Sequence, residues 1–93
     1  DAMREQQFLG QLLQTISRCV ARQQPRRLRC IYLRWGCYSH FCLERFCTCF
    51  LAVSASGPVG GAALDIDLIT DRDDPGAYAL VLATLDFTEV LET

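Results

Sequence analysis

Lysine is missing from this chain: all nine basic side chains are arginine. Positive charge is therefore carried by guanidinium groups, which suit bidentate contacts to carboxylates and phosphates and recur at interfaces. Long apolar runs are missing as well. The most apolar stretch, Phe46 to Val53, falls far short of the roughly 20 residues a membrane helix needs, which excludes a transmembrane helix. No charged n-region, apolar h-region and cleavage site stand at the start, and there is no internal repeat or long low-complexity segment. A single histidine leaves little scope for imidazole chemistry. The six cysteines fall below the density of small disulfide scaffolds and leave both ends unstapled. Free thiols in an intracellular protein, cytoplasmic or nuclear, are the expectation.

What is present supports one small domain over residues 1–93. A hydrophobic content of 51% is enough for a core, at a size where folding alone is marginal and a partner chain helps. The net charge of −2 hides a division: residues 1–45 carry eight arginines against three acids, and residues 46–93 carry one arginine against eight acids. Such halves attract, either within the fold or between copies in a head-to-tail or two-fold arrangement.

Apolar residues at Phe8, Leu9, Leu12, Leu13, Ile16, Cys19 and Val20 recur at helical spacing and predict an amphipathic helix over Met3 to Gln23, closed by Pro25. Gly10 weakens that helix unless it lets a neighbour approach. Arg26 to Tyr38 alternates, with Arg27, Arg29, Ile31, Leu33 and Trp35 opposite Leu28, Cys30, Tyr32 and Arg34, and reads as a strand. Arg45 to Ser54 reads as a second strand, with Phe46, Thr48, Phe50 and Ala52 opposite Cys47, Cys49, Leu51 and Val53. Ala63 to Thr70 gives a third, with Leu64, Ile66 and Leu68 inward and Asp65, Asp67 and Ile69 outward. After the turn at residues 71–76, Ala77 to Leu85 is read as a fourth strand, although the proline after Asp74 also suits a helix start. Asp86 and Glu89 form a capping-box pattern for a short C-terminal helix. The expected class is α+β, with an N-terminal amphipathic helix packed on a four-stranded, mostly antiparallel sheet in the order α-β-β-β-β.

The segment Cys30 to Phe50 concentrates five of the six cysteines, His40, Trp35 and six of the nine aromatic residues. Cys37, His40, Cys42 and Cys47 are a conceivable tetrahedral zinc set, giving a zinc-stabilised module as one alternative. Their spacing lacks the paired C-x2-C elements of structural sites, so no metal and no cofactor are expected, and the thiols serve as small core hydrophobes. Catalysis by a cysteine beside His40 lacks an evident orienting group. The arginines at 22, 26, 27, 29 and 34 with Tyr32 and Trp35 could stack nucleic acid, but the acidic second half opposes this, and nucleic acid is not the expected partner.

The stretch Ala-Leu-Asp65-Ile-Asp67-Leu-Ile resembles the hDhDh strand of nucleotidyltransferase-fold enzymes. That resemblance covers roughly residues 50–87 and implies divalent-metal phosphoryl chemistry, with Ser54 near the turn serine and Asp86 as third carboxylate. Val53 stands where that family carries glycine.

The preferred reading is non-enzymatic. The strands around Trp35 read as largely apolar on both faces, and a sheet face that is not polar normally meets another element or chain. Aromatic and arginine residues anchor interfaces. The expected work is protein–protein interaction, by self-association or with a heteromeric partner, through Arg29, Tyr32, Arg34, Trp35, Phe46 and Phe50. No catalytic residue, metal ligand or membrane contact is expected.

Overall fold

The structure, a computed structural model, describes residues 2–55, 57 and 59–89. Helix α1 spans Ala2–Gln23. Leu9, Leu12, Ile16 and Val20 step along it by three or four residues and are buried, forming its inward stripe. Full burial of each such side chain contributes roughly 1.5–3 kcal/mol. Gly10 lies off that stripe, and a Cβ there would meet nothing within 4 Å. It brings no neighbour close.

After the cis Gln24–Pro25 bond, strand β1 (Leu28–Gly36) leads into helix α2 (Leu43–Ser54), strand β2 (Ala63–Ile69), a short 3-10 helix at Pro75–Tyr78 and strand β3 (Leu80–Phe87). The three strands form one mixed sheet in the order β2-β1-β3. Strand β1 runs parallel to β2 and antiparallel to β3. The chain is thus α+β with an N-terminal helix, and among the described residues the sheet has three strands where four, mostly antiparallel, were expected.

The missing strand is α2. Phe46 and Phe50 fall on one face at either period, so alternation alone could not separate the two structures. Leu43, Phe46, Cys47, Phe50 and Ser54 complete the helical stripe, each at least half-buried. Topology supplies the reason for a helix: a parallel pair such as β1 and β2 needs a crossover of a dozen or more residues. Thr48, a poor helix former, returns its hydroxyl proton to the Glu44 carbonyl at 3.0 Å.

The fourth expected strand also differs. Pro75 starts the 3-10 helix, and the Asp74 side chain caps it by accepting the Gly76 N–H at 2.8 Å. Strand β3 then begins at Leu80 and runs to Phe87, so Asp86 lies within a strand and caps no helix. Residues 90–93 of the expected C-terminal helix lie outside the described residues.

Two bulges reset the alternation. Leu28 faces Phe87 while Cys30 faces Asp86, leaving Arg29 as the extra residue on β1. Tyr32 faces Thr84 while Leu33 faces Leu82, leaving Ala83 extra on β3. Each bulge reverses the side that later residues take. The first keeps Leu28 buried with Arg29 outside, and the second turns Leu85 and Phe87 toward the core alongside Leu80 and Leu82.

Ile31, Leu33 and Trp35 share one apolar cluster with α1 and α2. Both helices therefore cover the same face of the sheet. Phe46 is central to the cluster, with its ring centroid 5.1 Å from Trp35, 5.8 Å from Phe8 and 5.9 Å from Phe50. The opposite face of the sheet carries no helix among the described residues.

Candidate protein-binding surface

Three strands present their alternate residues on that uncovered face. Strand β1 contributes Cys30, Tyr32 and Arg34, since Ile31, Leu33 and Trp35 point inward. Parallel register sets Tyr32 beside Asp65 and Arg34 beside Asp67 on β2. Antiparallel register sets Cys30 beside Asp86, Tyr32 beside Thr84 and Arg34 beside Val81 on β3. Tyr32 is 37% exposed and Val81 42% exposed, an aromatic and a branched aliphatic side chain held in water by a rigid sheet.

The relief of this face is shallow. A depression of about 340 Å³ lies among Tyr32, Arg34, Asp65, Asp67 and Thr84. A second, of about 400 Å³, lies among Arg34, Asp67, Ile69, Asp74 and Val81. Arg34 and Asp67 border both, so the two are continuous along β1 and β2.

Charge on the face is balanced locally. Arg29 Nε lies 3.6 Å from Asp86 Oδ2 with both side chains exposed, a pair worth at most about 1 kcal/mol. The Tyr32 phenol is raised above its ordinary value of 10.0, first by hydrogen bonding and charge interaction with the Cys30 thiol, then by desolvation and by the carboxylates of Asp86 and Asp65. Tyr32 thus stands between the acids of β2 and β3 and stays a neutral hydrogen-bond donor.

The six side chains expected to meet a partner are divided by the sheet. Arg29, Tyr32 and Arg34 are exposed. Trp35, Phe46 and Phe50 are 3%, 4% and 1% exposed and fill the core. Their assignment to the outer surface is corrected: reading α2 as a strand gave that segment a second apolar face, whereas the helix turns both phenylalanines inward. Asp65 and Asp67, read as outward on their strand, lie on the open face, and so does Val81, which the expected binding set lacks. For the two aspartates the signal was their alternation with Leu64 and Ile66, and for Val81 its alternation with Leu80 and Leu82.

The other constellations are dispersed. Ser54 is the buried last residue of α2, and Asp86 is separated from Asp65 and Asp67 by strand β1. Two strand spacings put roughly 10 Å between those backbones. Cys37 is exposed, Cys42 and Cys47 are half-buried, and His40 is exposed in the connection with φ 67°. All six cysteines are free thiols. Burial raises the Cys47 thiol above its ordinary 9.0. Among the described residues no three His, Cys, Asp or Glu side chains converge as a metal site, and no helix is long and apolar enough to cross a membrane.

A separate cluster lies past the carboxyl ends of β1 and β2. Arg72 lies over the Tyr38 ring, 5.8 Å from its centroid, and its Nε donates to the Tyr38 hydroxyl at 3.2 Å. The Tyr78 hydroxyl donates to the Arg72 carbonyl at 3.0 Å. Beneath it, a Cβ on Gly36 would come within 2.4 Å of the Ala77 backbone, so only glycine admits the 3-10 helix at that height.

No protein-family model matches the chain, and no curated protein or solved structure matches it.

Proposed function

We propose that this chain is a non-enzymatic protein-binding module whose docking surface is the open face of the sheet around Tyr32, Arg34 and Val81. The observation that carries the reading is one-sided cover: α1 and α2 bury Ile31, Leu33 and Trp35, while Tyr32 and Val81 remain exposed on the other side. Tyrosine and arginine are the residue types that concentrate binding energy at protein interfaces. The face is favoured over the edges of the sheet. Strand β2 presents Asp65 and Asp67, and β3 is broken by the bulge at Ala83, two devices that discourage strand addition.

The test is native mass spectrometry of the chain isolated gently from its cells. Sprayed from concentrated ammonium acetate, the wild type is expected to retain a second protein chain, its own copy or another, and Tyr32→Asp/Val81→Asp is expected to emerge alone with its melting temperature unchanged. A wild type that emerges as a bare monomer overturns the reading.

A nucleotidyltransferase-like reading has one observation in its favour, the adjacent exposed carboxylates of Asp65 and Asp67 beside Arg34. Asp86, paired with Arg29 across β1, does not join them. Divalent-metal-dependent nucleotide binding, lost in Asp65→Ala, is the result that would favour it.

A further inference from the structure

A groove lies at the amino-terminal rim of β1 and β2, away from the depressions of the open face. It holds about 650 Å³. The end of α1, the loop before β2 and the residue after β3 enclose it, with Arg26, Arg27 and Arg29 along one side and Gly60, Gly61 and Thr88 along another. Among the described residues no acidic side chain lines it. Arg29 reaches Asp86 at 3.6 Å, and Arg26 and Arg27 enter no ion pair within 4.0 Å among the described residues. Its wall is fixed by backbone: Arg27 N–H donates to Thr88 Oγ1 at 3.0 Å and Thr88 N–H donates to the Arg27 carbonyl at 2.8 Å. The arginine side chains stay free of that scaffold.

The other end of the sheet carries the opposite charge. The turn Asp71-Arg72-Asp73-Asp74 follows β2, and all four residues are exposed. It is held by the Asp71 side chain, which accepts the Asp73 N–H at 3.0 Å, and by the bond from Asp74 N–H to the Asp71 carbonyl at 3.1 Å. Its single cation, Arg72, lies against Tyr38. The nine residues of β1 separate the two ends, and at about 3.3 Å per residue that is roughly 30 Å. The turn therefore cannot reach the groove of its own chain.

We propose that the groove is a binding site for acidic chain segments, and that its occupant is the Asp71–Asp74 turn of a second copy. Guanidinium groups pair with carboxylates in planar, bidentate fashion. Arg26 and Arg27, with Arg29 beside them, facing three aspartates on a turn of fixed shape make a joint that each exposed pair alone would not. Donor and acceptor occupy opposite ends, so the contact is heterologous and repeats from copy to copy. This inference does not rest on the open face, and its groove variant leaves that face untouched.

Sedimentation velocity of the full chain over a concentration series at low salt tests it. The wild type is expected to form species larger than a monomer that dissolve as salt is raised. Arg26→Gln/Arg27→Gln and Asp71→Asn/Asp73→Asn/Asp74→Asn, which keep the turn's acceptors, are each expected to sediment as monomers with unchanged thermal melts. Mixed in equal amounts, they retain one complementary joint and are expected to give a dimer and nothing larger. Tyr32→Asp/Val81→Asp is expected to keep the salt-sensitive series. A wild type that stays monomeric at low salt, or a groove variant that associates like the wild type, overturns the proposal; so does a mixture that yields no dimer.

Discussion

Glu5 on α1 caps α2: its Oε1 accepts the backbone N–H of Cys42 at 3.2 Å, across 37 residues of sequence. Cys42 is the N-cap of α2 and its own side chain makes no cap bond. Glu5 Oε2 also lies 3.1 Å from Arg45 Nη1 in the first turn, an ionic contact with no directed hydrogen bond. A carboxylate with its side chain 10% exposed is thus held by a helix N-terminus and a guanidinium, and it locks the two helices together.

Glu5→Ala removes a charged acceptor from a half-buried N–H, a change worth roughly 1.5–3 kcal/mol. The melting temperature is expected to fall by about 4–8 °C for each kcal/mol lost in a domain of this size. Glu5→Gln, which keeps a carbonyl oxygen for Cys42, is expected to cost less. Equal losses in the two variants would mean that the ion pair with Arg45, and not the cap, carries the effect.

Two glycines are expected to respond to alanine with opposite signs. At Gly36 the new Cβ would meet Ala77 backbone at 2.4 Å, and the 3-10 helix must shift, with a loss on the order of 1–3 kcal/mol. At exposed Gly10, nothing lies within 4 Å, and alanine is expected to stabilise α1 by about 0.5–1 kcal/mol. Denaturant melts of the two variants measure both.

Tyr32 is expected to ionise above free tyrosine in an ultraviolet pH titration. Its folded-state value is raised above 10.0, chiefly by Cys30, so its contribution to stability is intact below pH 10.0 and is lost as pH rises through the folded value. Cys30→Ala is expected to bring the phenol back down, and Asp86→Asn and Asp65→Asn to lower it by smaller steps. An unchanged titration in Cys30→Ala would contradict the arrangement of the open face.

Thiol labelling is expected to follow burial. Cys37 and Cys49 are exposed and should react with alkylating reagents ahead of Cys47, whose thiolate is disfavoured by desolvation. As the Cys47 value is raised in the fold, its share of stability is present below pH 9.0 and declines as pH rises above it. Mass spectrometry of partially labelled protein reads the order directly.

Helix α1 was legible because its apolar stripe has only one satisfying period, and β2 because Asp65 and Asp67 alternate with Leu64 and Ile66. Helix α2 was not. Phe46 and Phe50 are neighbours at a period of two and at a period of 3.6 alike, and what decides between them is the parallel pairing of β1 with β2, a relation between segments more than 25 residues apart in register, such as Cys30 with Ala63. The bulges at Arg29 and Ala83 were equally hidden, since they depend on a partner strand. Of the expected binding side chains on β1, alternation set Tyr32 and Arg34 on one face and Arg29 with Trp35 on the other; the bulge leaves Arg29 exposed, and Trp35 is buried because alternation does not say which face the helices cover.

The most direct measurement of the open face is photo-crosslinking in cells, with benzoylphenylalanine substituted in turn for Tyr32, Val81, Leu51 and Tyr78. All four are exposed, but only Tyr32 and Val81 lie on the uncovered side of the sheet. Adducts to a protein chain from Tyr32 and Val81, with none from Leu51 and only salt-sensitive ones to its own copy from Tyr78, are the expected result. No adduct from Tyr32 and Val81, or equal adducts from all four positions, would contradict the open face as the docking surface.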